Sequence, residues 1–199
     1  MRKEIKMNSD ILEIIADEKQ LNQKVTELAE KINSDYKAKS LVAVGILKGS
    51  VIFFADLTRK LDLCKFDFMV ASSYGSSAVS SGKINIKKDL SEDVTGKDVL
   101  IIEDILDTGN TLCLLKDYIL SKGAKSVKLC VLFDKPERRE NPLQPIIQAL
   151  RSTISLSSDT VLTMTKNTGI SPTLAYLNPK SILKQGVTTL WTTRKPFAI

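Results

Sequence analysis

Two hydrophobic periods alternate along the 199 residues of this chain. From Ser9 to Tyr36 apolar positions recur at helical intervals, first Ile11, Ile14 and Ile15, then Val25, Leu28, Ala29 and Ile32, with charged residues between them. That spacing predicts two helices that cover a core. Leu41 to Leu47 is instead an apolar run broken only by a glycine, as expected of a strand buried on both faces, and Val51 to Leu61 behind it returns to helical spacing. The alternation continues with a strand over Lys65–Ser72, a short one over Ile84–Lys88 and a central strand entered through Val94–Asp98. A helix over Thr111–Leu120 and a strand over Val127–Phe133 follow. Strand, helix and strand in repeated order predict an α/β fold, a doubly wound, mostly parallel sheet flanked by helices.

The segment between Ser73 and Gly82 is too small and polar to pack and long for a plain connection, the profile of either a lid or a disordered stretch. The length suits a single domain over residues 1–199. Hydrophobic and charged contents of 43% and 26% are those of a globular chain, and no apolar run reaches the roughly 18 residues of a membrane span. The charged start, Met-Arg-Lys-Glu-Ile-Lys-Met, lacks the apolar stretch of a secretory signal, so a cytoplasmic location without membrane attachment is expected. Cys64, Cys113 and Cys130 are odd in number and unclustered, which fits buried free thiols in a reducing compartment. The chain has no histidine, so acid–base work falls to carboxylates, lysines or tyrosines. A formal charge of +6 without a dense basic block gives no nucleic-acid face.

The candidate chemistry gathers in Val99–Leu112, where an apolar run leads into Glu103 and Asp104 and then into Asp107, Thr108, Gly109, Asn110 and Thr111. Hydroxyls and successive backbone N–H groups at a helix start form a cradle for phosphate. Two acids beside it suit sugar hydroxyls and Mg²⁺, which takes one or two carboxylates together with waters and substrate oxygens. Lys48 and Gly49 end the first strand, where α/β sheets place ligands, and glycine lets backbone N–H approach an anion.

These motifs resemble those of the type I phosphoribosyltransferases. Glu103–Leu112 is similar to that family's signature for phosphoribosyl pyrophosphate, and flanking residues resemble its hypoxanthine-guanine branch. Leu47-Lys-Gly-Ser50 resembles the branch's pyrophosphate loop, Ser72-Ser-Tyr-Gly75 its lid and Asp134–Arg139 the segment that reaches the purine. The resemblance implies the type I phosphoribosyltransferase fold with a small hood. It also implies transfer of a 5-phosphoribosyl group to hypoxanthine or guanine, giving IMP or GMP and pyrophosphate, with Mg²⁺ as cofactor. By resemblance, Glu103 and Asp104 hold the ribose hydroxyls and the metal, Asp107 moves the purine imidazole proton, and Thr108, Gly109, Asn110 and Thr111 bind the phosphate. Lys48 and Gly49 then bind pyrophosphate, Ser73 and Tyr74 belong to the lid, and Lys135 donates to the exocyclic oxygen of a 6-oxopurine. Asp107 could also serve as a helix N-cap. Family members are commonly dimers or tetramers, so a homodimer or homotetramer is expected.

After Arg139 the resemblance stops, and it resumes faintly at Leu174-Ala-Tyr-Leu-Asn-Pro. Residues 141–173 are atypical. Ser152 to Thr173 is crowded with Ser and Thr and has no aromatic residue, where the family places a purine-stacking aromatic and a metal aspartate. If Pro145 to Thr173 is read with the third base of each codon joined to the first two of the next, codon choices exist that spell the missing family segment. Met164 with Thr165 then allows only Asp; Ser152 with Thr153 is the one disagreement, since it cannot give the family's proline. The expectation is a segment translated in a shifted frame between two compensating insertions or deletions. If the chain is made as written, it is a catalytically impaired homologue. The rival class, a regulator of the same fold that binds nucleic acid, calls for a basic face or a winged helix-turn-helix, and neither is visible.

Overall fold

The structure, a computed structural model, describes residues 11–62, 64–73, 84–145, 147–151, 161–165 and 173–177. In chain order its elements are β1 (Ile11–Ala16), α1 (Glu18–Asp35), β2 (Leu41–Leu47), α2 (Val51–Thr58), β3 (Lys65–Ser73) and β4 (Ile84–Lys88). Then come β5 (Asp98–Leu106), α3 (Asn110–Ser121), β6 (Ser126–Asp134), a single 3-10 turn (Pro136–Arg138), β7 (Ile147–Arg151), β8 (Val161–Thr165) and β9 (Thr173–Leu177). The chain divides into two compact units, residues 24–153 and residues 1–23 with 154–199.

The larger unit holds a six-stranded sheet in the order β4-β3-β2-β5-β6-β7. Five strands run parallel, and β4 turns back antiparallel on β3. The chain winds outward from β2 to β3 and β4 on one side and from β5 to β6 and β7 on the other. The point where the winding reverses, between β2 and β5, is where such sheets leave a crevice beyond their carboxyl ends.

Burial explains why these two strands are centred. Val42, Ala43 and Val44 of β2 and Val99 to Ile102 of β5 are fully buried, each removing apolar area from water at about 25 cal/mol per Å². On one face, alternate strand residues Val42, Val44, Val99, Ile101 and Val131 form a cluster with Leu112, Leu115 and Ile119 of α3. On the other face Gly45 admits the aromatic rings of Phe54 and Phe68, tilted at 51° to each other with centroids 4.6 Å apart; a Cβ there would lie 2.8 Å from the Phe54 ring. The apolar spacing of Val51 to Leu61 is realised as α2, which ends at Thr58.

The smaller unit corrects the expectation of two N-terminal helices. Ile11–Ala16 is a strand, paired antiparallel with β9, which pairs in turn with β8. Ile11, Ile14 and Ile15 fit a helical period, yet three isoleucines in six residues are stiff, β-branched side chains that favour the extended backbone when a partner strand is present. The helix starts where its cap begins. The Asp17 carboxylate accepts the Gln20 backbone N–H at 2.8 Å, and Gln20 Oε1 accepts the Asp17 N–H at 2.9 Å, a reciprocal capping box that opens α1.

Candidate active site

The crevice is built first from the end of β2. Ser50, fully buried, donates its hydroxyl to the Ile46 carbonyl at 2.8 Å and its backbone N–H to the same oxygen at 3.2 Å. That pins the Lys48–Gly49 turn ahead of α2. The Leu47–Lys48 peptide bond is cis, and the Lys48 side chain is exposed. Gly49 abuts the two acids of β5: a Cβ on it would sit 2.8 Å from Asp104 Oδ1 and 3.0 Å from Glu103 Oε1. The turn and the acids therefore lie against each other, and a larger residue at Gly49 would displace the two carboxylates.

Glu103 and Asp104 belong to β5 itself, which runs on to Leu106 before the cradle opens. Burial, the neighbouring Asp104 charge and a hydrogen bond shared with Asp104 hold the Glu103 carboxyl well above its usual range. Among the described residues neither acid has a Lys or Arg partner. Two hard-oxygen donors, crowded and without a protein cation, suit a divalent ion. No group of three His, Cys, Asp or Glu able to hold a metal occurs among the described residues, so the chain offers two carboxylates and leaves the remaining positions to substrate oxygens and water.

The cradle follows. Gly109 is the N-cap of α3, with φ of +82° and no side-chain cap, and its carbonyl accepts the Cys113 N–H at 2.8 Å. Asp107 is thus not the cap, and its carboxylate is left for other work. The N–H groups of the first turn have no carbonyl four residues back and point toward the positive end of the helix dipole. A cavity of about 280 Å³ is lined by Leu47, Gly49, Glu103, Asp107 and Thr108 to Leu112. It brings together the pyrophosphate turn, an acid and the cradle predicted from sequence.

Beside Asp107 lies the segment after β6. Lys135, 2% exposed, donates its N–H to the Leu106 carbonyl at 3.0 Å, which joins it to the end of β5. Burial lowers the Lys135 ammonium below its usual range, while the Asp107 charge opposes that shift. Arg138 Nε is 3.3 Å from Asp107 Oδ1 without hydrogen-bond geometry, and that buried oxygen has no hydrogen-bond partner. The Arg139 side chain is only 7% exposed. It pairs with Asp134, its Nε and Nη1 have no partner, and its Cδ lies 3.3 Å from where a Gly109 Cβ would be.

Ser73 ends β3, whereas Tyr74 and the rest of the expected lid lie outside the described residues. The sequence reading missed Ser50, Arg138, Arg139, Glu140 and Asn141 as parts of this neighbourhood. Ser50, Arg138 and Arg139 stood inside quoted motifs, but no local pattern marks Glu140 or Asn141. The three thiols are free as expected; Cys130 is buried, Cys64 and Cys113 only partly so, and burial pushes the Cys64 thiol up to about 11. Among the described residues no helix is long and apolar enough to cross a membrane.

Known proteins share this arrangement. The family model described as a phosphoribosyl transferase domain matches residues 12–158. Among curated relatives, the hypoxanthine-guanine phosphoribosyltransferase of Streptococcus agalactiae is 44% identical over 134 residues, 67% of this chain and 74% of the relative. A bifunctional TilS/HprT protein of Listeria innocua is 46% identical over 134 residues, and there the chain spans only 21% of the relative's length. A crystal structure of a hypoxanthine phosphoribosyltransferase from Staphylococcus aureus superposes with a TM-score of 0.77 at 33% identity, covering 86% of this chain and 94% of that one. The doubly wound sheet and the family match place the chain among the phosphoribosyl transferase domains. The chain belongs to the hypoxanthine-guanine branch of that family.

Proposed function

We propose that this chain transfers the 5-phosphoribosyl group of phosphoribosyl pyrophosphate to hypoxanthine or guanine, releasing pyrophosphate and forming IMP or GMP in purine salvage. The observation that carries the reading is one cavity in which Gly49, Glu103, Asp107 and the cradle at Thr108 to Thr111 converge. In it the 5-phosphate rests on the first-turn N–H groups of α3 and the hydroxyls of Thr108 and Thr111. Glu103 and Asp104 accept the ribose hydroxyls and would hold Mg²⁺, which when bound supplies positive charge to the pyrophosphate oxygens.

Lys48 and Gly49 offer N–H groups to the leaving pyrophosphate, where charge develops as the bond between the anomeric carbon and oxygen breaks. As the carbon–nitrogen bond forms, the imidazole proton of the purine leaves to Asp107, whose Oδ1 is buried with no hydrogen-bond partner. Lys135, held against the end of β5, donates to the exocyclic oxygen of a 6-oxopurine. Adenine presents an amino group there, two donors would face each other, and adenine is rejected. Ser73 and Tyr74 close the lid in this reading. A cytoplasmic location accords with the free thiols, and a homodimer or homotetramer accords with the exposed apolar surface of Val51 and Phe66.

The test is turnover: chain, Mg²⁺, phosphoribosyl pyrophosphate and each base in turn, with nucleotide followed by chromatography. IMP and GMP should form, AMP should not, and Asp107→Asn should slow the reaction by roughly 10²-fold or more, the usual contribution of a positioned general base. AMP as the main product, or an unaffected Asp107→Asn enzyme, contradicts the assignment.

A further inference from the structure

The residues just past the purine segment form a strap on the outer side of the phosphate loop. Asn141 Nδ2 donates to the Thr108 carbonyl at 3.0 Å and to Asn110 Oδ1 at 3.0 Å, while its Oδ1 accepts the Leu143 N–H at 3.1 Å. The Glu140 backbone N–H donates to the same Thr108 carbonyl at 3.1 Å, and Asn110 Nδ2 donates to the Glu140 carboxylate. Gly109 lies under this strap; a Cβ on it would meet the Asn141 amide at 3.0 and 3.1 Å. Leu143, 7% exposed, anchors the strap in the same core cluster that holds α3.

These contacts have two consequences for the loop. The Thr108 carbonyl, doubly bonded to the strap, is held away from an incoming anion. The Asn110 side chain is engaged at both ends by residues 30 and 31 positions later in the chain, and its backbone N–H makes a long 3.4 Å contact to Thr108 Oγ1, so Asn110 is held by the strap and by the loop itself.

We infer that Asn141, seated on Leu143 and assisted by Glu140, is a positioning residue that pre-organises the phosphate cradle through Thr108 and Asn110. It does not touch the sugar phosphate; it sets the direction of the N–H groups that do. The inference rests on the reading that this loop holds the 5-phosphate. Loss of the strap lets the unbound loop sample other conformations, and phosphate affinity falls by the fraction no longer in the binding form.

The experiment is calorimetric titration of the full chain with ribose 5-phosphate and, separately, with hypoxanthine. Two lost hydrogen bonds of ordinary net strength predict that Asn141→Ala weakens ribose 5-phosphate binding about tenfold. The hypoxanthine affinity should stay within about twofold. Asn141→Asp keeps the acceptor for Leu143 but sets a carboxylate against the Thr108 and Asn110 oxygens, so it should bind ribose 5-phosphate at least as weakly as the alanine variant. Unchanged ribose 5-phosphate affinity in Asn141→Ala, beside a wild type that binds, overturns the strap alone. So does an equal loss of affinity for both ligands, the mark of general damage. A wild type that fails to bind ribose 5-phosphate overturns the cradle reading and the strap with it. Should Asn141→Ala not fold, Glu140→Ala, which frees only one end of Asn110, decides on the same titration: a rise of about two- to threefold in Kd supports the strap and no rise overturns it.

Discussion

At the scale of single residues the site is a set of groups held in states they would not choose in water. Glu103 shows this most clearly, because burial and the Asp104 charge favour its protonated form. The folded chain therefore holds this proton more tightly than the unfolded one. Stability from this group is present below the ordinary value of 4.5 and is lost as the pH rises from there through the raised folded value. Glu103→Gln removes the charge at every pH. The ligand-free variant should melt higher than wild type at neutral pH, by roughly 2–4 °C, the shift that about 1 kcal/mol gives in a domain of this size. It should also lose most turnover. Scanning calorimetry at pH 5 and pH 8 checks this, since the gain should be larger at pH 8; an equal gain at both contradicts the assigned cause. The acids themselves were legible from sequence because paired carboxylates after an apolar run are an unusual local pattern. The pressure of Gly49 on Asp104 was not, since it joins positions 49 and 104 across the two central strands.

At the scale of elements, the functional groups are delivered by β2, β5 and α3, and each of these was readable from apolar spacing. The first strand was misread because the same isoleucines satisfy a helical period and a strand, and the choice was made by β9, a partner more than 150 residues away that no local pattern announces. The start of α3 was readable only in part. The alternative role of Asp107 as the cap is not realised, and Gly109 takes that place with a positive φ beneath Asn141 and Arg139. Gly109→Ala would combine a left-handed alanine with contacts of 3.0 to 3.3 Å. It should destabilise the fold by about 1–2 kcal/mol in denaturant unfolding, the cost of that backbone region for a residue with a Cβ. Phosphoribosyl pyrophosphate binding should weaken alongside. A variant as stable as wild type, with unchanged binding, would show that the turn adopts another form.

At the scale of the whole molecule, the larger unit runs on through β7 to residue 153, so the first part of the segment read as atypical, residues 141–153, belongs to the same sheet and core as the site. Alignment to curated relatives covers 134 residues and leaves about a quarter of the Streptococcus agalactiae protein unmatched. The family model matches as far as residue 158, and the proposal that Pro145 to Thr173 is written in a shifted frame rests on the codon reading. Intact mass of the protein expressed from its source, with peptide sequencing across Thr153, decides it: the restored segment should contain several tyrosines, which the present one lacks, and several aspartates where the present one has Asp159 alone. A peptide reading Ser-Thr-Ile-Ser at Ser152 to Ser155 would establish the chain as written. The residues proposed to hold the sugar phosphate, Glu103, Asp104 and Asp107 to Thr111, lie before Pro145. The central claim is accordingly best measured by a crystal structure of the chain with phosphoribosyl pyrophosphate and Mg²⁺. The account predicts the 5-phosphate on the N–H groups at the start of α3 and the ribose hydroxyls on Glu103 and Asp104; a sugar phosphate bound elsewhere, with that turn closed or empty, would contradict it.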